Sequence, residues 1–177
     1  MDFRHKNTEQ FFDYWLSLSK KRLIPMRSSF HPEDVPSLLP NMMIYELVSE
    51  NYIKLRLLGS NLDERFGETS DDGNYLDYVE RTRRSKASEA IWAVANQPCG
   101  MQVITEQPLK SGLTVIVETL SLPLRDDNHG NPQLIIQKNV LNGPDYEPQY
   151  VVQPLEYNRI IQRDFIDIGG GIPDFTD

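Results

Sequence analysis

One cysteine and three histidines are all the thiol and imidazole groups this chain offers. A lone Cys99 excludes an intramolecular disulfide, suits a reducing compartment and leaves too few Cys and His for a zinc cage. His5 lies in a frayed N-terminus, His31 in a proline-rich crossing and His129 in a predicted turn, so a hydrolase triad is disfavoured. Basic residues are also short, 18 against 26 acidic, and the formal charge of −8 repels phosphate backbones and anionic headgroups. That argues against a nucleic-acid partner. No apolar run approaches the roughly 20 residues of a membrane span. The opening MDFRHKNTEQ lacks the apolar core of a signal peptide, so the expected location is cytoplasmic. No phosphate loop is present either: Gly169, Gly170 and Gly171 follow no strand-to-helix unit and read as a hinge in the tail.

What is present is a patterned chain of 177 residues with 39% apolar composition, enough for one domain with tails and without internal repeats. Its pivot is Ile53 to Gly67, IKLRLLGSNLDERFG. Leu55, Leu57 and Gly59 alternate as in a strand, Gly59 frees a turn, Ser60 reads as an N-cap with Asp63 answering it, and Gly67 fits a C-cap. Upstream, Phe11, Phe12, Trp15 and Leu18 form a helical stripe over Thr8 to Ser19. Prolines 25, 32, 36 and 40 then impose an ordered crossing with little helix. Met42 to Val48 and Tyr52 to Gly59 read as a hairpin, and Glu68 to Asn74 as a loop. Tyr75 to Val79 suits a helical turn, and Glu80 to Gln97 an amphipathic helix ended by Pro98. Three strands follow, Gly100 to Pro108, Leu113 to Leu124 and Gln133 to Leu141, turning at 109–112 and 125–132. The pattern predicts an α+β domain: a five-stranded antiparallel sheet with helices on one face, an N-terminal amphipathic helix, and an extended C-terminal tail. The boundaries are 1–40 for helix and crossing, 41–141 for the core, and 142–177 for the tail. In that tail Ile160, Ile161, Phe165, Ile166 and Ile168 must pack on something.

The order of these elements is that of the PAS fold, and particular residues extend the likeness. Tyr14 and Trp15; Arg22, Ile24, Pro25 and Arg27; Pro32, Pro36, Leu38, Leu39 and Pro40; Arg56, Leu57, Gly59 and Ser60; and Phe66 with Gly67 follow one another as in a bacterial single-PAS family. This family is common in alphaproteobacteria and was formerly a domain of unknown function. Glu118, Leu120, Leu122, Pro123 and Leu124 are similar to its later E-x-L-x-L-P-L pattern. The resemblance spans about Phe11 to Leu141, with Ile24 in place of the usual Leu and Ser60 in place of the usual Thr. It implies a sensory or protein-interaction module without established catalysis. It also implies a signalling partner, a small-molecule ligand between helix and sheet, and homodimers paired through N-terminal helices; the stripe of Phe11, Phe12, Trp15 and Leu18 is expected to cover either the sheet face left bare by the other helices or the equivalent helix of a second subunit.

Within that frame the pocket candidates are Trp92, Tyr78, Glu118, Gln137 and Asn139. Trp92 either lines the cavity or fills core. Gln137 and Asn139 alternate with Lys138: turned inward the amides offer hydrogen-bond groups to a polar ligand, turned outward they are ordinary surface, and sequence leaves both parities open, with lysine the less readily buried neighbour. Arg81, Arg83, Arg84 and Lys86 read as a solvated face, with an acidic partner as the alternative. Haem-binding relatives use a His near the long helix and photosensory flavin ones a Cys in the short helices. Neither is matched here, so haem, covalent flavin and metal are disfavoured, and Cys99 reads as a small apolar filler. The rival from another class is a cavity isomerase or dehydratase with Glu118 as a buried base.

Overall fold

The computed structural model describes residues 2–21, 23–66, 73–108, 114–128, 130–142 and 159–177. The C-cap at Gly67, most of the 68–74 loop, the 109–112 turn, His129 and most of the 142–154 stretch lie outside these residues. Helix α1 is Lys6–Ser17, and strands β1 (Lys20–Lys21) and β2 (Ile24–Pro25) form a minimal hairpin. The hairpin β3 (Met42–Ser49) and β4 (Tyr52–Leu58) leads into α2 (Ser60–Phe66). After 3-10 turns at Tyr75–Tyr78 and Arg81–Arg83 come α3 (Arg84–Asn96) and β5 (Cys99–Pro108), β6 (Thr114–Leu124), β7 (Gln133–Val140) and β8 (Arg159–Asp167).

The main sheet runs β4-β3-β7-β6-β5-β8, antiparallel throughout. Its first five members are the expected strands, but the sheet has six. The tail contributes β8, which pairs along β5 from Cys99↔Asp167 to Glu106↔Arg159. Of the apolar tail residues, Ile160, Phe165, Ile166 and Ile168 pack against the core clusters, whereas Ile161 is 53% exposed.

Both faces of the sheet are covered, where helices on one face were expected. α2, the Tyr75–Tyr78 turn and α3 close one face over Met43, Tyr45, Leu47, Met101, Val103, Leu134 and Ile136. α1 and the proline crossing close the other over Met42, Ile44, Leu120, Leu122 and Ile135. The stripe named as a candidate dimer surface is the inner face of α1. Phe11 and Trp15 are fully buried and Leu18 nearly so, and Phe12 is half-buried, its ring 5.3 Å from Phe3. Burying such side chains contributes roughly 2–3 kcal/mol each. Trp15 is fixed further by its indole N–H, which donates to the Pro123 carbonyl at 3.0 Å.

The N-terminus is not frayed. The extended backbone of His5 caps α1 and its Nδ1 accepts from the Asn7 amide at 3.1 Å. The corner after β4 also differs in detail. The Gly59 carbonyl accepts from the amides of Leu62 and Asp63, both at 2.9 Å, so Gly59 caps α2 and Ser60 is its first residue. Gly59 is not among the positive-φ glycines; it is needed because the chain passes too close for any side chain.

Candidate functional site

The polar side chains of the sheet divide by face. On the α1 face Glu118 is fully buried and accepts from the amides of Arg4 and His5, both 2.9 Å, the Thr8 hydroxyl at 2.7 Å and Gln102 Nε2 at 2.6 Å. Asn139 donates to the Thr8 hydroxyl at 2.9 Å and Gln137 donates to Asn139 Oδ1 at 3.1 Å. The structure thus brings together three of the predicted pocket residues, Glu118, Gln137 and Asn139, in a polar belt that moors α1. None of them lines the cavity on the other face. Glu118 already accepts four hydrogen bonds there, which answers its charge.

The other two candidates are not among the residues that line the cavity either, though both pack against the apolar cluster beneath α3. Trp92 is half-buried on α3 with its indole N–H 3.4 Å from the Ser49 carbonyl, tying the helix to the β3–β4 hairpin. Tyr78 packs against the same apolar cluster as α3, and burial raises its phenol, with Asp77 and Asp63 adding to the effect.

The cavity itself, about 80 Å³, lies between α3 and the sheet. Ala87, Ala90 and Ile91 of α3 form one wall and Met101 and Val103 of β5 an apolar floor. Thr105, Gln107, Thr119, Ser121 and Lys138 carry polar groups into the sheet wall, and Tyr45 stacks near Tyr75 with ring centroids 4.6 Å apart. The hydroxyls of these two tyrosines are hydrogen-bonded, and burial holds both above the ordinary phenol range. The strand is buried on both faces: Gln137 and Asn139 turn to the α1 side, and Lys138, 5% exposed, faces the cavity, its Nζ 5.5 Å from the Tyr75 ring centroid. Sequence reasoning missed it because lysine is rarely buried.

Two further cations share the wall, Arg83 and Arg163, and among the described residues it holds no carboxylate. The basic cluster at the start of α3 is thus split. Arg83 lines the cavity, Arg84 Nε donates to the Val79 carbonyl at 3.1 Å, and Lys86 pairs with Glu89 at 3.0 Å. Arg163 belongs to β8, and its side chain is only 4% exposed. Its Nη1 pairs with Asp177, while its buried Nε has no hydrogen-bond partner among the described residues. Burial lowers the guanidinium from its usual range, and Asp177 opposes that effect.

Cys99 opens β5 fully buried, the position of a small core filler, with its thiol pushed up to about 11 by burial. Among the described residues no group of His, Cys, Asp and Glu is arranged to hold a metal ion, and no helix is long and apolar enough to cross a membrane.

A double-faced five-strand core in this order, closed by α3 over a small cavity, is the architecture of a PAS domain. The PAS domain family model matches residues 3–136, and the chain belongs to that family. Its members generally serve as sensory and signalling modules. No curated protein matches the chain. The residues that carried the resemblance sit largely away from the cavity. Trp15 meets Pro123, Gly59 meets Leu39 and Pro40, and Glu118 holds the start of α1. Lys138 and Arg163 lie beyond the matched residues.

Proposed function

We propose that this chain is a sensory PAS module that holds a small molecule between α3 and the sheet and reports it to a protein partner. The observation that carries this reading is the cavity between α3 and the sheet, with apolar side chains of α3 and β5 beside polar and cationic groups of the sheet wall. Its volume is about 80 Å³, near half of the roughly 150 Å³ apolar cavity that takes up benzene. A small metabolite suits it, and haem or flavin does not. Native mass spectrometry of the protein purified from its own cell, with affinity pull-down, tests the reading. A retained small molecule or a specific partner supports it, and neither would overturn it.

The enzyme alternative is not favoured. Its base was to be Glu118, which lies on the opposite face with its oxygens engaged, and no carboxylate or histidine is among the described residues of the cavity wall. Self-association would use the outer face of α1, where Leu16 is 47% exposed, because the inner stripe already covers its own sheet. Sedimentation of a Leu16→Glu variant checks this: a dimer that persists would exclude that face.

A further inference from the structure

The turn after β8 is built rather than loose. The Asp167 carboxylate accepts from the amides of Gly169 at 2.7 Å and Gly171 at 2.9 Å, and these two glycines take φ of 109° and 79°. Gln97 Nε2 then donates to the Ile172 carbonyl at 3.0 Å, fixing the reversed chain to the end of α3. Phe175 lands between β8 and α3, its ring centroid 5.4 Å from Phe165, 5.0 Å from the Arg163 guanidinium and 4.2 Å from Lys86 Nζ. Asp177 follows and pairs with Arg163. The tail therefore crosses the gap where Arg83, just before α3, and Ala87 of α3 face Ile160 and Arg163 of β8, all four in the cavity wall.

In a chain of net charge −8, a cavity wall with three cations and no described carboxylate is a marked local reversal. A guanidinium N–H buried without an acceptor is costly, and the group that would satisfy it is an anionic oxygen. We propose that the cavity is a site for a small carboxylate, held by Arg163 Nε and Lys138, and that the chain's own Asp177 carboxylate competes for the Arg163 arm. The Thr119 and Ser121 hydroxyls, on the same wall, supply further donors. The cavity volume limits the ligand to a short-chain acid. This deepens the small-molecule reading above and rests on it.

Calorimetric titration of the full chain at constant ionic strength tests the proposal, with acetate, propionate and butyrate as probes, and with propionamide and n-propanol as neutral probes of matched size. The expected result is binding of at least one acid, with propionamide weaker by roughly tenfold or more. Lys138→Met should weaken the acid by roughly tenfold, and Asp177→Asn should tighten it several-fold by removing the competing charge. Arg163→Gln should abolish binding. If its thermal melt shows loss of fold, Lys138→Met and the acid-to-amide ratio on the native chain carry the test. Propionamide or propanol binding as tightly as propionate, or acid affinity unmoved by Lys138→Met, would overturn the carboxylate assignment and leave the small-molecule reading standing. No binding by any probe would overturn the carboxylate assignment and leave the small-molecule reading to native mass spectrometry. Acid binding unchanged in Asp177→Asn would remove the competing role of the tail.

Discussion

Gly59 lies so close to the backbone of Leu39 that a Cβ built on it would be 2.0 Å from the Leu39 carbonyl oxygen and 2.6 Å from the Pro40 carbonyl. Two of the matched motifs, the proline crossing and the glycine corner, are thus one contact. Gly59→Ala should already destabilise the domain by about 1–3 kcal/mol through overpacking, and Gly59→Val by more. Ser60→Ala should fall within about 0.5 kcal/mol of wild type, since Ser60 is the first helical residue and not the cap. Urea melts of the three variants check this, and equal losses in Ser60→Ala and Gly59→Ala would contradict it.

Trp15 combines a fully buried ring with an indole hydrogen bond to Pro123. Trp15→Ala should cost about 3–5 kcal/mol. Trp15→Phe keeps most of the ring and should cost less. Acrylamide quenching should divide the native emission into a protected Trp15 and a more accessible, half-buried Trp92. Two equally quenched tryptophans would show that α1 leaves the sheet.

Glu118 is the acceptor on which the start of α1 converges. Glu118→Gln retains the shape but sets an amide N–H against existing donors, and should cost about 3 kcal/mol. The loss should shrink in a Thr8→Val background, because the two residues share one hydrogen-bond network. Additive losses in the double-mutant cycle would separate them.

Cys99 gives a pH signature. Burial pushes its thiol from 9.0 up to about 11, with Asp167 adding to the effect, so the fold favours the neutral thiol. The corresponding stability is fully present below pH 9 and is lost as pH rises toward 11, by about 3 kcal/mol at most. Cys99→Ala lacks this titration, so the gap between wild type and variant should narrow between these pH values. Parallel stability curves would show that the native thiol ionises freely.

The strands were legible because turn chemistry bounds them: the five core strands begin and end within about a residue or two of where glycine, proline and aspartate place them. The face of each residue was not. Helices on both sides of the sheet bury six successive residues of β3 and seven of β7, so the period-two alternation that assigns an inside is erased. With that signal gone, both parities of β7 stay open in the sequence, and the ordinary reluctance of lysine to be buried argues only against turning Lys138 inward. The cavity inverts the argument, because a pocket for a polar guest is where a lysine can be buried. Arg163 was hidden differently. It lies in a strand whose ladder partner is 60 residues earlier, Val103, and no local pattern carries a pairing of that range.

β8 also bears on how the domain can be cut. The family match ends at residue 136, inside β7, whereas the sheet ends at β8. A fragment trimmed after β7 would bare the ten-residue β5 from Cys99 to Pro108, with a row of unsatisfied amides and carbonyls beside Met101, Val103 and Ile104. Such an edge is a template for a strand from another molecule. β8 occupies that edge in the whole chain, and the boundary drawn by sequence likeness would remove it.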